Sequence, residues 1–378
     1  MGMPHTSPRG RAVVLAFTIV ALLLLPMTTD ASAGTPAPTQ PNRAVGVSSH
    51  LVWRPQAEIT TNMRRLAASG VRNIREDFQW DVLEPAPGVY DWSAPDQLMR
   101  SAATVGVDVL AVIDYSATWA SSDPTGRGSI FYPPSDPSTF ARFAAVVIAR
   151  YGPGGRFWAE NRQLLARPLQ AIEVWNEPWY DHFWRPGPDP AGYARLVEAT
   201  AIAVRAVAPS VAIVAAGDLI QSRADARPEP WIGAVLAVSP NLGAYVNAWS
   251  VHPYPSPMNL APSDGSGARS YGTVAGVRDV LAARNATRPI WITEAGWSTS
   301  DRSVEGVTEA QQAAYVRDAL KLAFGDRGAS VQRFYLYAWS RSSGQRLDRE
   351  GNFGLLRADG TTKPAWAAFT SFARTLTR

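Results

Sequence analysis

The chain has 378 residues, of which 46% are hydrophobic and 18% are charged, and this composition excludes an intrinsically disordered protein. Its net charge of +4 includes no basic run, which gives no support for nucleic-acid binding, and the absence of cysteine excludes disulfides and thiolate chemistry. The four histidines are scattered and form no metal-binding pair, so we expect neither a metal nor any other cofactor.

The first residues have the pattern of a secretory signal. Arg9 and Arg11 precede an apolar run over 12–25, and residues 31–33, Ala-Ser-Ala, offer a small-residue cleavage site. The run is shorter than the roughly 20 residues that a membrane-spanning helix needs, which favours cleavage over retention as a stable membrane anchor. We therefore expect a signal peptide over 1–33, a Pro/Thr-rich linker over 34–43, and a secreted, extracellular protein.

Beyond the linker, short apolar runs typical of strands alternate with segments typical of amphipathic helices. The predicted strands are 44–49, 71–77, 107–116, 171–177, 211–217, 246–252, 289–296 and 331–339. The predicted helices are 58–70, 95–104, 137–150, 190–207, 231–238, 271–283, 309–324 and 365–376.

This alternation predicts an α/β fold, and its eight units favour a single (β/α)8 TIM barrel over 44–378 with no accessory domain. Several predicted strands are continuous apolar runs, as in parallel sheets that are buried on both faces. The alternative is an open, doubly wound sheet. It is disfavoured because the first strand leads into "GVSSHLVW" and not into a glycine-rich phosphate loop.

Functional residues of such barrels follow the carboxyl ends of the strands, and two of these ends carry a glutamate. "AIEVWNEPWY" places Asn176 and Glu177 at the end of the fourth strand, and "PIWITEAG" places Glu294 at the end of the seventh. We predict that the two carboxylates face each other across the barrel mouth. A purely turn-forming role for the Asn-Glu-Pro sequence is the alternative.

Two carboxylates in different environments can cleave a glycosidic bond. One must be protonated to donate to the glycosidic oxygen and the other must be ionised, and a gap of roughly 5 Å between them is typical of retaining enzymes. A Trp-lined setting would raise the pKa of Glu177, and a cation such as Arg75 would keep Glu294 charged. Alternatively, Arg75 pairs locally with Glu76 or Asp77.

Four segments together resemble the retaining glycoside hydrolases of clan A: "WNEP", "WITEAGWS", "VRNIRED" and "SVHPYP". The segment "WDVLEPAPGVYDWS" is similar to the loop after the second strand in families 5, 10, 39 and 42 of that group. The resemblance extends over the chain beyond the linker. It implies that Glu177 is the general acid/base and that Glu294 is the nucleophile.

The resemblance also implies five substrate-binding or positioning roles. Asn176 matches the asparagine that binds the sugar 2-hydroxyl, Arg75 the arginine that orients the nucleophile, and Tyr254 the tyrosine that donates a hydrogen bond to it. His252 matches the histidine of an HxY pair, with a packing histidine as the alternative. Trp339 matches a tryptophan that forms a platform for the sugar.

Further candidates lie where the predicted strands end or shortly beyond. His50 ends the first strand, and Asp114, Tyr115 and Trp119 follow the third. Four more aromatic residues follow the two glutamates: Trp179, Tyr180, Trp184 and Trp297. The alternative for each is packing at the rim of the barrel.

Family 39, including endoglycosidases of bacterial exopolysaccharide, and family 5 both fit the motifs. The lack of the β-sandwich that family 39 xylosidases usually carry weakens a xylosidase interpretation. The many rim aromatics favour an endo-acting enzyme on a β-linked polysaccharide or oligosaccharide. We also expect a monomer. The alternatives are an exo-acting β-xylosidase or arabinosidase, a transglycosylase, and a non-catalytic carbohydrate-binding barrel.

Overall fold

The computed structural model describes residues 43–220, 229–263, 271–325, 331–340 and 349–376. The predicted signal peptide and all but the last residue of the predicted linker lie outside these ranges, so both remain predictions. The fold and the site are described within these ranges.

Eight parallel strands close into one barrel, in which each strand pairs with the next along the chain and the eighth pairs with the first. The predicted TIM barrel is therefore confirmed. The strands are β1 (Ala44–Ser48), β2 (Asn73–Gln79), β3 (Asp108–Asp114), β4 (Ala171–Val174), β5 (Ala212–Ala216), β6 (Ala248–Val251), β7 (Ile290–Ile292) and β8 (Val331–Tyr337). Both β4 and β7 end sooner than predicted, because the segments that carry the two glutamates leave the sheet.

The helices surround the barrel. They are α1 (Gln56–Ser69), α2 (Trp80–Leu83), α3 (Ser93–Val105), α4 (Pro137–Tyr151), α5 (Arg156–Glu160), α6 (Pro190–Val207), α7 (Trp231–Val238), α8 (Gly272–Ala283), α9 (Glu309–Phe324) and α10 (Pro364–Leu376). The short helices α2 and α5 escaped prediction because so few residues show no complete hydrophobic period. Among the described helices, none is both long enough and apolar enough to cross a membrane.

Local chemistry sets where several helices begin and end. The Asp136 side chain accepts a hydrogen bond from the backbone N–H of Ser138 at the start of α4. Thr308 and Gln311 form a reciprocal capping box at the start of α9. Gly70 ends α1 with a φ of 92°, a left-handed conformation that suits glycine. These boundaries fix the lengths of the loops that connect the strands to the helices.

The barrel interior is apolar towards the amino ends of the strands and polar towards their carboxyl ends. The apolar layer consists of Leu110, Ala171, Val214, Ala248, Trp291 and Tyr335. Side chains of a strand alternate between its two faces, so the inward position two residues after Ala171 is Glu173 and the one after Trp291 is Thr293. Both are at least 99% buried, and they form the floor of the site.

Candidate active site

The carboxyl ends of the strands open into a cavity of about 830 Å³. This volume falls within the range of roughly 300–1,000 Å³ that is usual for small-molecule sites. The two glutamates of the sequence motifs, Glu177 and Glu294, both line it, together with Arg75, Asn176 and Tyr254. The structure thus brings together a residue on β2 and residues that follow β4, β6 and β7.

The backbone turns sharply after β4 and aims Glu177 at the cavity. Trp175 and Glu177 have φ values of 66° and 45°, in a left-handed region that costs a non-glycine residue about 1–2 kcal/mol. Trp175 is held in place because its indole N–H donates to the carbonyl of Phe183 at 2.9 Å, and its side chain is fully buried. Trp175 therefore packs below the rim, whereas Asn176 and Glu177 reach the cavity.

The two glutamates lie close enough to act on the two atoms of one bond. One carboxylate oxygen from Glu177, one from Glu294 and a ring nitrogen of His252 lie within 4.8 Å of one another. Carboxyl pairs of retaining glycosidases are about 5–5.5 Å apart, and those of inverting enzymes about 6.5–9.5 Å. Among the described residues, this trio is also the group whose geometry could hold a metal ion, although each member already has a protein partner.

Both oxygens of Glu294 are held by donors. Arg75 Nη1 donates to Oε1 at 2.7 Å, and the Tyr254 hydroxyl donates to Oε2 at 2.9 Å. Burial raises the pKa of Glu294, but the charges of His252 and Arg75 and the Tyr254 hydrogen bond outweigh it, so the pKa lies below its ordinary value of 4.5. Glu294 is therefore ionised near neutral pH.

Arg75 connects three acceptors at the bottom of the cavity. Besides Glu294, its Nε donates to Glu173 Oε2 at 2.7 Å and its Nη2 to Asn176 Oδ1 at 2.9 Å. Arg75 makes these contacts and not the local pairing with Glu76 or Asp77 that the sequence left open. Sequence reasoning missed Glu173, since "AIEV" looks like an ordinary apolar strand. A carboxylate within an apolar strand is buried and needs a charged or hydrogen-bonding partner, and this requirement could have identified Glu173.

Glu177 is paired with His252, which lies behind it. His252 Nδ1 is 2.9 Å from Glu177 Oε1, and its Nε2 is 3.0 Å from the hydroxyl of Thr293. Burial raises the pKa of Glu177, and the His252 contact offsets this only in part, so the pKa stays above its ordinary value. The environments shift the pKa values of the two glutamates in opposite directions, as an acid and a nucleophile require.

Three of the additional candidates line the cavity: His50, Tyr115 and Tyr180. The Tyr115 hydroxyl accepts a hydrogen bond from Asn176 Nδ2 at 3.3 Å. The His50 ring lies edge-on to the ring of Tyr337 at 5.3 Å, and its Nε2 is buried without a hydrogen-bond partner in the described part of the chain. His50, Tyr115 and Tyr337 thus line the cavity beside β1, β3 and β8, and Tyr180 lines it beyond β4.

Five further candidates are not among the described residues that line the cavity, and their substrate-binding roles remain predictions: Asp114, Trp119, Trp184, Trp297 and Trp339. The last three tryptophans are at most 1% exposed, because burying their large apolar area stabilises the loops more than exposure would. Trp339, the expected sugar platform, donates its indole N–H to Asn62 on α1 at 3.0 Å. Tyr337 is instead the β8 aromatic that lines the cavity.

Replacing Trp339 with phenylalanine tests whether Trp339 stabilises the fold through its contact with Asn62. We expect Trp339→Phe to lower the free energy of unfolding by about 1–3 kcal/mol, because Asn62 Oδ1 loses its buried donor. Urea unfolding followed by circular dichroism measures the change. Trp53→Phe is the control, since Trp53 lines the cavity and is 39% exposed, and it should change stability little. Equal stability of the Trp339 variant and the wild type would contradict the assignment.

Sequence comparison matches the chain to no family model and to no curated protein. Solved structures do match. A family 39 glycoside hydrolase from Bacteroides cellulosilyticus WH2 has a TM-score of 0.65 and 23% identity, over 90% of this chain and 66% of that one. A monomeric beta-xylosidase from Caulobacter crescentus CB15 has a TM-score of 0.61 and 23% identity, over 87% and 67% of the two chains.

A fungal beta-1,4-galactanase is also similar, with a TM-score of 0.59 and 15% identity, over 86% of this chain and 98% of that one. The chain spans just under two thirds of the length of the family 39 structure. At these identities the similarity concerns the fold. The chain therefore shares the barrel of these proteins, on which its own residues build the site described above.

Proposed function

We propose that the protein is a retaining glycosidase that cleaves β-glycosidic bonds of a polysaccharide or oligosaccharide. The observation that carries the proposal is the pair of glutamates within 4.8 Å of each other, in which the pKa of Glu177 is raised and the pKa of Glu294 is lowered. The names of the structural neighbours, a family 39 glycoside hydrolase and a beta-xylosidase among them, support the same chemistry.

In the first step, Glu177 donates its proton to the glycosidic oxygen while a carboxylate oxygen of Glu294 attacks the anomeric carbon. The bond from the anomeric carbon to the leaving oxygen breaks, and a glycosyl ester forms on Glu294. Arg75 and Tyr254 each hold one oxygen of the nucleophile and so fix its orientation. Asn176 Nδ2 has a second N–H, which we assign to the sugar 2-hydroxyl.

In the second step, the ionised Glu177 accepts a proton from a water molecule whose oxygen bonds to the anomeric carbon. The ester bond breaks, Glu294 leaves as a carboxylate, and the anomeric configuration is retained. A sugar hydroxyl that replaces the water would give transglycosylation by the same route.

Aromatic side chains on two sides of the glutamates support internal cleavage. Trp53 lines the cavity beyond β1, and Tyr180 and Phe183 line it beyond β4. Flat aromatic faces pack well against the apolar faces of sugar rings, so both sides of the cleavage point can bind a chain. We therefore propose endo action.

A panel of β-linked polysaccharides and aryl β-glycosides tests the function. We expect the purified protein to release oligosaccharides from at least one polysaccharide. Release of monosaccharide alone would replace endo with exo action, and a lack of turnover on every member would contradict the glycosidase proposal. The matched control is the Glu294→Gln variant prepared in the same way.

The pH dependence of kcat/KM is expected to be bell-shaped. Glu294 must be ionised and has a lowered pKa, so activity rises with pH through a limb below pH 4.5. Glu177 must be protonated and has a raised pKa, so activity falls through a limb above pH 4.5. Glu177→Gln should abolish the second limb in the residual activity. A basic limb that persists in this variant would assign the acid to another group.

We also propose that the protein is secreted after removal of residues 1–33, on the strength of the signal pattern at its amino terminus. Mass spectrometry of protein recovered from culture medium should give a chain that begins at Gly34. Retention of the full chain in the membrane fraction would contradict this proposal.

A further inference from the structure

A chain of buried hydrogen bonds connects the two glutamates beneath the cavity. It runs from Arg75, which holds Glu294, to Glu173 at 2.7 Å. The Thr293 hydroxyl donates to the other oxygen of Glu173 at 2.9 Å, and Thr293 Oγ1 lies 3.0 Å from His252 Nε2. Three members of this chain, Glu173, Thr293 and His252, are at most 2% exposed.

The chemistry of these groups fixes the direction of the protons. The Arg75 guanidinium can only donate, and its ion pair holds Glu173 as a carboxylate, which can only accept. The Thr293 proton must therefore point at Glu173, and Thr293 Oγ1 can offer His252 only a lone pair. It follows that His252 Nε2 carries a proton.

This assignment limits what His252 can offer Glu177. With a proton on Nε2, the neutral ring presents a bare Nδ1 to Glu177 Oε1 at 2.9 Å, so Glu177 itself must supply the hydrogen of that contact. If His252 becomes doubly protonated, the proton that Glu177 carried now lies on His252 Nδ1. The neutral tautomer with its proton on Nδ1 would instead stabilise an ionised Glu177 that has no proton to give.

Other groups face His252 from the surrounding strands, but none replaces Thr293. Asp218 after β5 accepts a hydrogen bond from the His252 backbone N–H at 2.9 Å and not from the ring. Glu294 Oε2 lies 3.7 Å from Nδ1, and the Trp179 ring packs edge-on. The charge of Arg75 and the hydroxyl of Tyr254 act on this cluster through Glu294. In the described part of the chain, Thr293 is the partner of Nε2.

We propose that Glu173 and Thr293 are positioning residues that hold His252 in the Nε2–H tautomer and so keep a proton on the Glu177–His252 pair for the departing glycosidic oxygen. The catalytic part of this inference rests on the proposed role of Glu177 as the acid, whereas the tautomer itself follows from the hydrogen bonds alone.

Nitrogen NMR of the full chain labelled with ¹⁵N-histidine tests the tautomer directly. The His252 signals are identified by their loss in His252→Gln. We expect Nε2 to be protonated throughout the pH range in which the protein is folded, with Nδ1 gaining a proton only as the pH falls. A neutral His252 with its proton on Nδ1 in the wild type would overturn the proposal.

Glu173→Gln should reverse the direction in which the hydrogen bonds from residue 173 to His252 are donated. The amide oxygen must face Arg75, which only donates, so the amide NH₂ faces Thr293 and donates to it. The Thr293 hydroxyl then turns towards His252 Nε2, and the ring proton moves to Nδ1. Thr293→Ser is the control and should keep the proton on Nε2. A Glu173→Gln variant that retains the Nε2–H tautomer would contradict the inference.

Activity provides a second readout that mere structural damage would not reproduce. Glu173→Gln should lower kcat/KM by about 10-fold or more for glycosides whose leaving group needs a proton, and should change it little for a dinitrophenyl leaving group, which departs without one. Thr293→Ser keeps the hydroxyl, so the ratio of its kcat/KM values on the two kinds of substrate should equal that of the wild type. Equal losses on both substrates would overturn the positioning role.

The two proposals fail in different ways. A wild-type protein with the Nε2–H tautomer but no activity on any glycoside would overturn the proposed function and the purpose assigned to the proton. An active wild type with the Nδ1–H tautomer would overturn only the role of Glu173 and Thr293.

Discussion

Glu294→Gln is expected to reduce turnover on the order of 10⁵-fold or more, as is usual when a covalent nucleophile is removed. An amide is a poor nucleophile. It also disturbs the site: Arg75 and Tyr254 each donate to one oxygen of Glu294, so when the amide oxygen accepts from Arg75, the NH₂ group faces Tyr254 and cannot accept its hydrogen bond. Both effects act on the step in which the bond to the anomeric carbon forms.

Steady-state kinetics on an aryl glycoside, together with thermal unfolding to confirm the fold, measures this effect. Glu305→Gln is the matched control, because Glu305 lines the same cavity but is bound to Arg349 at 2.9 Å, away from the reacting pair. It should retain most of the activity. Turnover by Glu294→Gln at a rate close to that of the wild type would remove Glu294 from the mechanism.

Glu177→Ala is expected to lower kcat/KM by about 10²–10⁴-fold for substrates with poor leaving groups, which is the usual contribution of a general acid. Substrates with a dinitrophenyl leaving group should still form the glycosyl ester, which then hydrolyses slowly because no base activates water. The space left by the side chain admits azide, an anion that attacks without a general base. Added azide should therefore restore turnover and yield a β-glycosyl azide.

The configuration of that azide product, read by proton NMR, assigns the two roles. Retention identifies Glu177 as the acid/base. A product of inverted configuration would make Glu177 the nucleophile and exchange the roles. Glu177→Gln is the control for the entry of azide. It keeps the volume of the side chain, so added azide should increase its turnover less.

The fold and the reacting pair follow from local patterns along the chain. The alternation of apolar runs and amphipathic segments identifies eight units, and a glutamate at the end of a buried strand in a TIM barrel must reach the same rim as its counterpart. Neither inference requires the distance between the two glutamates. The separation of Glu177 and Glu294 within 4.8 Å depends on barrel closure and so required the structure.

The supporting residues were harder to foresee because sequence adjacency does not give side-chain direction. Trp184 and Trp297 follow the glutamates closely, yet the chain leaves the strands in irregular conformations that turn both rings into the core. Trp339 similarly points to α1, whereas Tyr337 faces the cavity. The roles of Glu173 and Thr293 depend on contacts with residues on β2 and after β6, which are distant in the sequence.

The most direct test of the central claim is to trap the covalent intermediate. A 2-deoxy-2-fluoro β-glycoside with a good leaving group, made from the sugar that the substrate panel identifies, should add one glycosyl unit to the protein, and peptide mapping should place it on Glu294. The adduct should be lost, and activity regained, on incubation in buffer. Attachment to another residue, or a first product of inverted configuration with no adduct, would contradict a retaining mechanism that uses Glu294.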